Sequence, residues 1–108
     1  MKKIVIAVVA MAGVLLGGAA SAAPDAAAAK QLAQKYNCLA CHAIDKKLVG
    51  PAYVEVAKKY KGDASAEAKL IAKVKNGGSG VWGTIPMPPN NVPDADIKTL
   101  VEWVLSLQ

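Results

Sequence analysis

Four stretches of the chain alternate apolar and polar positions with the period of a helix. Ala26 to Tyr36 follows Pro24-Asp25, a pair suited to a helix start, and places Leu32 and Tyr36 four apart on one face. Residues 23–27 also read as a loose tail, but 28–36 do not. Asn37 is expected to break or cap this helix. Pro51 to Tyr60 carries Tyr53, Val56, Ala57 and Tyr60 at i, i+3, i+4 and i+7, and Gly62 stops it. Ser65 to Asn76 has Ser65 as a candidate cap, Glu67 in its first turn, and Leu70, Ile71 and Val74 as an inner stripe. Asn76-Gly77-Gly78 ends it. The last helix begins near Pro93-Asp94 and runs to Leu107, with Ile97, Leu100, Val101 and Val104 inward and Trp103 widening that face. Ala43–Gly50 and Gly77–Val92 read as loops. No strand pattern, repeat or heptad run is present, so the spacing predicts an all-α domain of four short helices.

The N-terminal residues belong to another pattern. Lys2 and Lys3 precede an apolar run from Ile4 to Leu16, and Ala20-Ser21-Ala22 has the small-x-small form of a cleavage site. Residues 1–22 are expected to be a cleaved signal peptide and 23–108 the mature domain. The alternative, an uncleaved anchor, has a run short of the ~20 residues that a membrane span needs. Cleavage takes Lys2 and Lys3 from a formal charge of +5 and leaves +3. The remaining chain is one small domain with a thin core, of the size that usually needs a staple or a bound group. Aromatic residues make up only 5% and Phe is absent, which fits a core that takes bulk from a cofactor.

That cofactor is indicated by Cys38-Leu39-Ala40-Cys41-His42, two thiols three apart followed by an imidazole, the attachment pattern of c-type haem. On one turn both cysteines face the same way and can form thioethers to one porphyrin. His42, next along, can offer a ring nitrogen to the iron. A thioredoxin-like dithiol shares the Cys-x-x-Cys spacing but needs a βαβ pattern, whereas these flanks read helical. A zinc site wants four ligands, and these are the only cysteines and the only histidine of the chain.

Met1 and Met11 leave with the signal, so Met87 is the single methionine of residues 23–108. It lies in Ile85-Pro86-Met87-Pro88-Pro89-Asn90, where prolines fix φ and Pro88 keeps Met87 extended. A thioether on so stiff a strap can ligate iron at low entropic cost, opposite His42, and a neutral sulfur favours the ferrous state. The plainer reading is a core methionine filling a gap. With both axial positions taken by protein, electron transfer is favoured over oxygen or peroxide chemistry.

Cys38 to Asp45, Leu48 to Tyr53, Gly80-Val81-Trp82-Gly83 and Ile85 to Asn90 together resemble the signature blocks of the small bacterial class I cytochromes c of the c-551/c-552 type. The likeness covers nearly all of residues 23–108. It implies a class I cytochrome c fold: about four short helices around one haem c, held through Cys38 and Cys41, with the first and last helices crossing. It further implies that the Pro51 carbonyl accepts from His42, that the Trp82 indole donates to a haem propionate, and that the Asn90 amide contacts the Met87 sulfur. An indole has only its N–H to offer, which suits a carboxylate, though Trp82 also reads as a plain core residue and Asn90 as a turn residue. Lys73 departs from the pattern, standing where an arginine often lies near a propionate, and lacks the bidentate fork.

The function expected is that of a soluble periplasmic monohaem electron carrier, not an enzyme, with His42 and Met87 on the metal. It would shuttle single electrons between a membrane donor and a terminal reductase (such as nitrite reductase), oxidase or peroxidase, as a monomer without stable membrane insertion. The haem-attachment machinery would be a partner during maturation. Lys46, Lys47, Lys58, Lys59, Lys61, Lys69, Lys73 and Lys75 supply most of the basic surface, and some can steer an acidic partner. Nucleic acid is not expected, because no basic helix is interleaved with aromatics.

Overall fold

The structure, a computed structural model, describes residues 24–108; the expected signal peptide lies outside them. Helix α1 spans Ala26–Lys35, α2 Tyr53–Lys59, α3 Ala66–Asn76 and α4 Asp94–Leu105, and a single 3₁₀ turn covers Cys38–Ala40. Among the described residues there is no strand, only an isolated antiparallel bridge between Gly78 and Met87.

Local chemistry accounts for several of the boundaries. The Asp25 carboxylate caps α1 by accepting from the Ala27 N–H at 3.0 Å. Asn37 then takes the left-handed conformation, φ 60 and ψ 22, which an asparagine tolerates and which turns the chain directly into the cysteine segment. Asp94 and Asp96 occupy the positive end of α4. The start of α3 departs from expectation. The Ser65 side chain does not cap that helix. Instead Asp63 accepts from the Ser65 N–H at 2.8 Å and from its hydroxyl at 2.6 Å, and pairs with Lys69 at 3.1 Å. A carboxylate can satisfy several donors at once, so it displaces the hydroxyl as organiser of the turn.

Those bonds, first the Ser65 hydroxyl and amide and then Lys69, hold the Asp63 carboxyl down at about 2. A depressed folded-state value stabilises the fold above the ordinary carboxylate value of about 3.9, and the contribution disappears as pH falls toward about 2. Asp63→Ala is therefore expected to lower the thermal midpoint at pH 7, with the gap to the parent closing between about pH 4 and pH 2. A gap that stayed constant over that window in calorimetry would show that the ionised carboxylate is not what matters.

The four helices bury two adjoining clusters. In the larger, Trp103 and Leu100 of α4 pack with Ala29 and Ala33 of α1 and with Tyr53 and Val56 of α2. Ala29 and Ala33 are fully buried, so α1 approaches α4 along a stripe of small residues, and the first and last helices pack on one another as expected. Tyr36 fastens this contact by donating its hydroxyl to Asp96 at 2.7 Å. Trp103 is 1% exposed, and a buried tryptophan is worth about 3–5 kcal/mol against alanine, a large part of a small domain's stability. The second cluster joins Ile97 and Val101 to Val92 and the inner stripe of α3.

Candidate functional site

The cysteine segment is wound as a 3₁₀ turn, with the N–H groups of Cys41 and His42 both donating to the Cys38 carbonyl, at 3.2 and 3.0 Å. Residues three apart eclipse in such a turn, so Cys38 and Cys41 share a side. Both are half-buried and neither is in a disulfide. Burial pushes the Cys38 thiol up from its ordinary value, with a smaller opposing effect from a hydrogen bond with Tyr53. A thiol-exchange cysteine needs the reverse, a depressed value in an electropositive setting. Among the described residues no group of three or more His, Cys, Asp or Glu side chains is placed to hold a metal ion.

His42 is held by the segment that follows it. Its Nδ1 lies 2.8 Å from the Pro51 carbonyl oxygen, the contact that the resemblance implied. A carbonyl only accepts, so Nδ1 is the donor, and in the neutral form of the ring Nε2 keeps its lone pair. The bond is made stiff by a short zipper. The N–H groups of Gly50, Tyr53 and Val54 donate to the carbonyls of Cys41, Ala43 and Ile44 at 2.7, 2.9 and 3.0 Å. Tyr53 also stacks on the imidazole, with centroids 5.0 Å apart and planes at 23°, and meets Trp103 edge-on at 5.6 Å. Burial pushes its phenol well above the ordinary value. Sequence reasoning placed Tyr53 on the inner face of its helix but missed that it supports His42. The aromatic only two positions after Pro51 was the available signal.

Met87 is reached from the opposite end of the chain. Its N–H donates to the Gly78 carbonyl at 2.8 Å, and the Gly78 N–H donates back to the Met87 carbonyl at 2.9 Å. The strap is thus stitched to the end of α3. Gly77, at φ 71, is packed so tightly under it that a Cβ there would lie 2.4 Å from the Met87 carbonyl oxygen and 2.8 Å from the Pro89 nitrogen. Both the positive φ and that approach require glycine. Asn90 closes the strap: its amide donates to the carbonyls of Pro88 at 2.9 Å and Val74 at 3.3 Å. Those two bonds engage both hydrogens of the amide in holding the turn. No hydrogen bond from Asn90 to the Met87 sulfur is found among the described residues.

The two halves face one cavity of about 690 Å³, lined by Cys38, Cys41, His42 and Met87 and closed at the back by Leu100 and Val104. Its size is that of a cofactor site, which typically spans about 300–1,000 Å³. The lining also explains an anomaly of the surface. Val49, Val81, Trp82 and Ile85 are exposed in the protein alone, Ile85 by 65%, and all four border this cavity. Large apolar side chains so placed fit a flat apolar group that would cover them. Trp82 stands on the rim with the Lys59 ammonium 5.4 Å from its ring centroid. Lys46, Lys47 and Lys73 line the cavity too, beside Asp45 and Glu55, and are the cations there that could meet carboxylates. The site thus has two thiols, an imidazole whose Nδ1 is engaged by Pro51, a thioether on a fixed strap and an apolar bed: the donor set fits a covalently held haem.

Comparison with known proteins agrees. A family model described as cytochrome c matches residues 26–108. The chain is 56% identical over 90 residues to cytochrome c-551 of Allochromatium vinosum, spanning 82% of this chain and 96% of that protein. It is 48% identical over 109 residues to cytochrome c-552 of Hydrogenobacter thermophilus, spanning 100% of both. Among solved structures it is similar to wild-type Nitrosomonas europaea cytochrome c552, with a TM-score of 0.71 at 52% identity, covering 73% of this chain and 99% of that one. The class 1 cytochrome MtoD from Sideroxydans lithotrophicus ES-1 gives a TM-score of 0.69 at 44% identity, covering 79% of this chain and 98% of that one.

Proposed function

The chain belongs to the cytochrome c family, and from that premise we propose that it is a periplasmic one-electron shuttle whose haem iron is held between His42 and Met87. At the coarser level it is a small monohaem electron carrier with an all-α cytochrome c fold. Members of the family carry haem c on a cysteine pair, and Cys38 and Cys41 are the two cysteines here. When bound, the haem supplies the Fe(III)/Fe(II) couple. The chain's own residues do the rest. Cys38 and Cys41 would anchor it, His42 would present Nε2, Met87 would present sulfur from a strap pinned to Gly78, and the apolar lining would exclude water. The Trp82 indole, which borders the cavity, would donate to a haem propionate. In the same reading residues 1–22 are removed on export, and the partners are a membrane donor and a terminal reductase, oxidase or peroxidase. No helix among the described residues is long and apolar enough to cross a membrane.

The observation that carries the ligand assignment is the Nδ1–Pro51 hydrogen bond, because it leaves Nε2 as the ring's free donor toward the cavity that Met87 also lines. The test is spectroscopy of the ferric protein. A sulfur-to-iron charge-transfer band, with cyanide and carbon monoxide binding only slowly in the absence of denaturant, is the expected result. Fast ligand binding and no such band would instead make it a peroxidase or gas sensor with Met87 detached. Mass spectrometry of the exported chain should show covalent haem and no free thiols.

A further inference from the structure

We propose that Gly50 is a positioning residue for His42: the missing side chain at position 50 is what lets the imidazole settle in the rotation that the Pro51 carbonyl accepts. The proposal rests on the reading that His42 ligates the iron. A Cβ built on Gly50 would lie 2.5 Å from Cε1, 2.9 Å from Nδ1 and 3.1 Å from Nε2 of His42. Three ring atoms at such distances mean that the imidazole lies against the backbone of residue 50.

Neither partner can retreat. The Gly50 N–H donates to the Cys41 carbonyl at 2.7 Å, and its carbonyl accepts from Leu48 at 3.1 Å, so the backbone is tied on both sides. The imidazole is tied by Pro51 at 2.8 Å and by the Tyr53 ring. Gly50 is not among the positive-φ glycines, so position 50 does not call for glycine's conformational freedom. Space is the whole requirement. An added methyl must therefore rotate the ring off Pro51 or break the Gly50–Cys41 bond. Either outcome changes the basicity and orientation of the nitrogen offered to the iron, which a supporting hydrogen bond normally sets.

Gly62 provides the control. It sits at φ 80 with nothing within 4 Å of an added Cβ, so Gly62→Ala strains backbone and touches no ring. The experiment is proton NMR of the ferric holoproteins, in which the order and spread of the haem-methyl resonances report the orientation of the axial imidazole. Gly50→Ala should change that pattern and shift the midpoint potential. Gly62→Ala should lower thermal stability and leave both unchanged. An unchanged pattern in Gly50→Ala, or an equal change in Gly62→Ala, overturns the proposal. Should Gly50→Ala yield no holoprotein, His42→Gly/Gly50→Ala supplied with free imidazole decides. Haem retention equal to that of His42→Gly with imidazole supports a clash with the tethered ring, and continued loss overturns it. A parent protein without hyperfine-shifted imidazole protons would instead count against ligation by His42, so the two failures are distinct.

Discussion

Met87→Ala is expected to lower the midpoint potential on the order of 0.2 V, a fraction of the roughly 0.8 V over which axial ligands set haem potentials. The size follows from the chemistry of the lost group. A neutral thioether stabilises ferrous iron, and its replacement by water or hydroxide stabilises the ferric state. At about 59 mV per tenfold for a one-electron couple, such a drop moves the equilibrium by more than a thousandfold. The substitution is clean because the strap does not depend on the side chain. The paired bonds between Gly78 and residue 87 are backbone to backbone, and the Asn90 amide bonds to the backbone carbonyls of Val74 and Pro88. The charge-transfer band should vanish, and cyanide and carbon monoxide should bind fast. Voltammetry that returned the parent potential would remove Met87 from the iron.

His42→Ala is expected to abolish stable holoprotein. Loss of even a supporting group around a metal costs 10–100-fold in affinity or activity, so removal of the ligand itself should reduce haem-bearing protein at least about tenfold. The loss is compounded locally, since the imidazole also bonds to Pro51 and stacks on Tyr53. Haem-stained gels of the exported fraction measure it. His42→Gly supplied with free imidazole separates the two effects, because a diffusible ring restores a ligand but not the tether. A normal haem yield from His42→Ala would contradict the proximal assignment.

Legibility along the chain followed the size and spacing of side chains. Trp103, Leu100 and Ile97 stood out because large apolar residues at helical spacing can only face a core, and they do. Ala29 and Ala33 did not stand out in a stretch of alanines, although both are fully buried. Their burial is a property of the partner: Trp103 needs a close neighbour, and only the packing of α4 selects which alanines provide it. Asp63 and Ser65 are equally good turn residues on paper, and it is the carboxylate that gathers the Ser65 hydroxyl, the Ser65 amide and Lys69 at once. Cys38, Cys41, His42 and Met87 could be picked out as candidates directly, because reactive and ligating groups are chemically rare in this chain, and all four line one cavity. Tyr53 and Gly77 could not, since an inward aromatic and a loop glycine each have many ordinary uses.

By itself the amino-acid order marked which atoms are candidates to serve the cofactor, where helices lie to within a residue or two at each end, and that the intervening loops are stiff or sharply turned. These are consequences of covalent identity and of neighbours within a few residues. Only the tertiary structure decided that a methionine forty-five positions from the histidine shares its cavity, that the imidazole Nδ1 is aimed at the Pro51 carbonyl, and that exposed Val81, Trp82 and Ile85 face a site and not a core. Those relations depend on contacts between segments far apart in the chain, whose free energy exists only once the helices have packed.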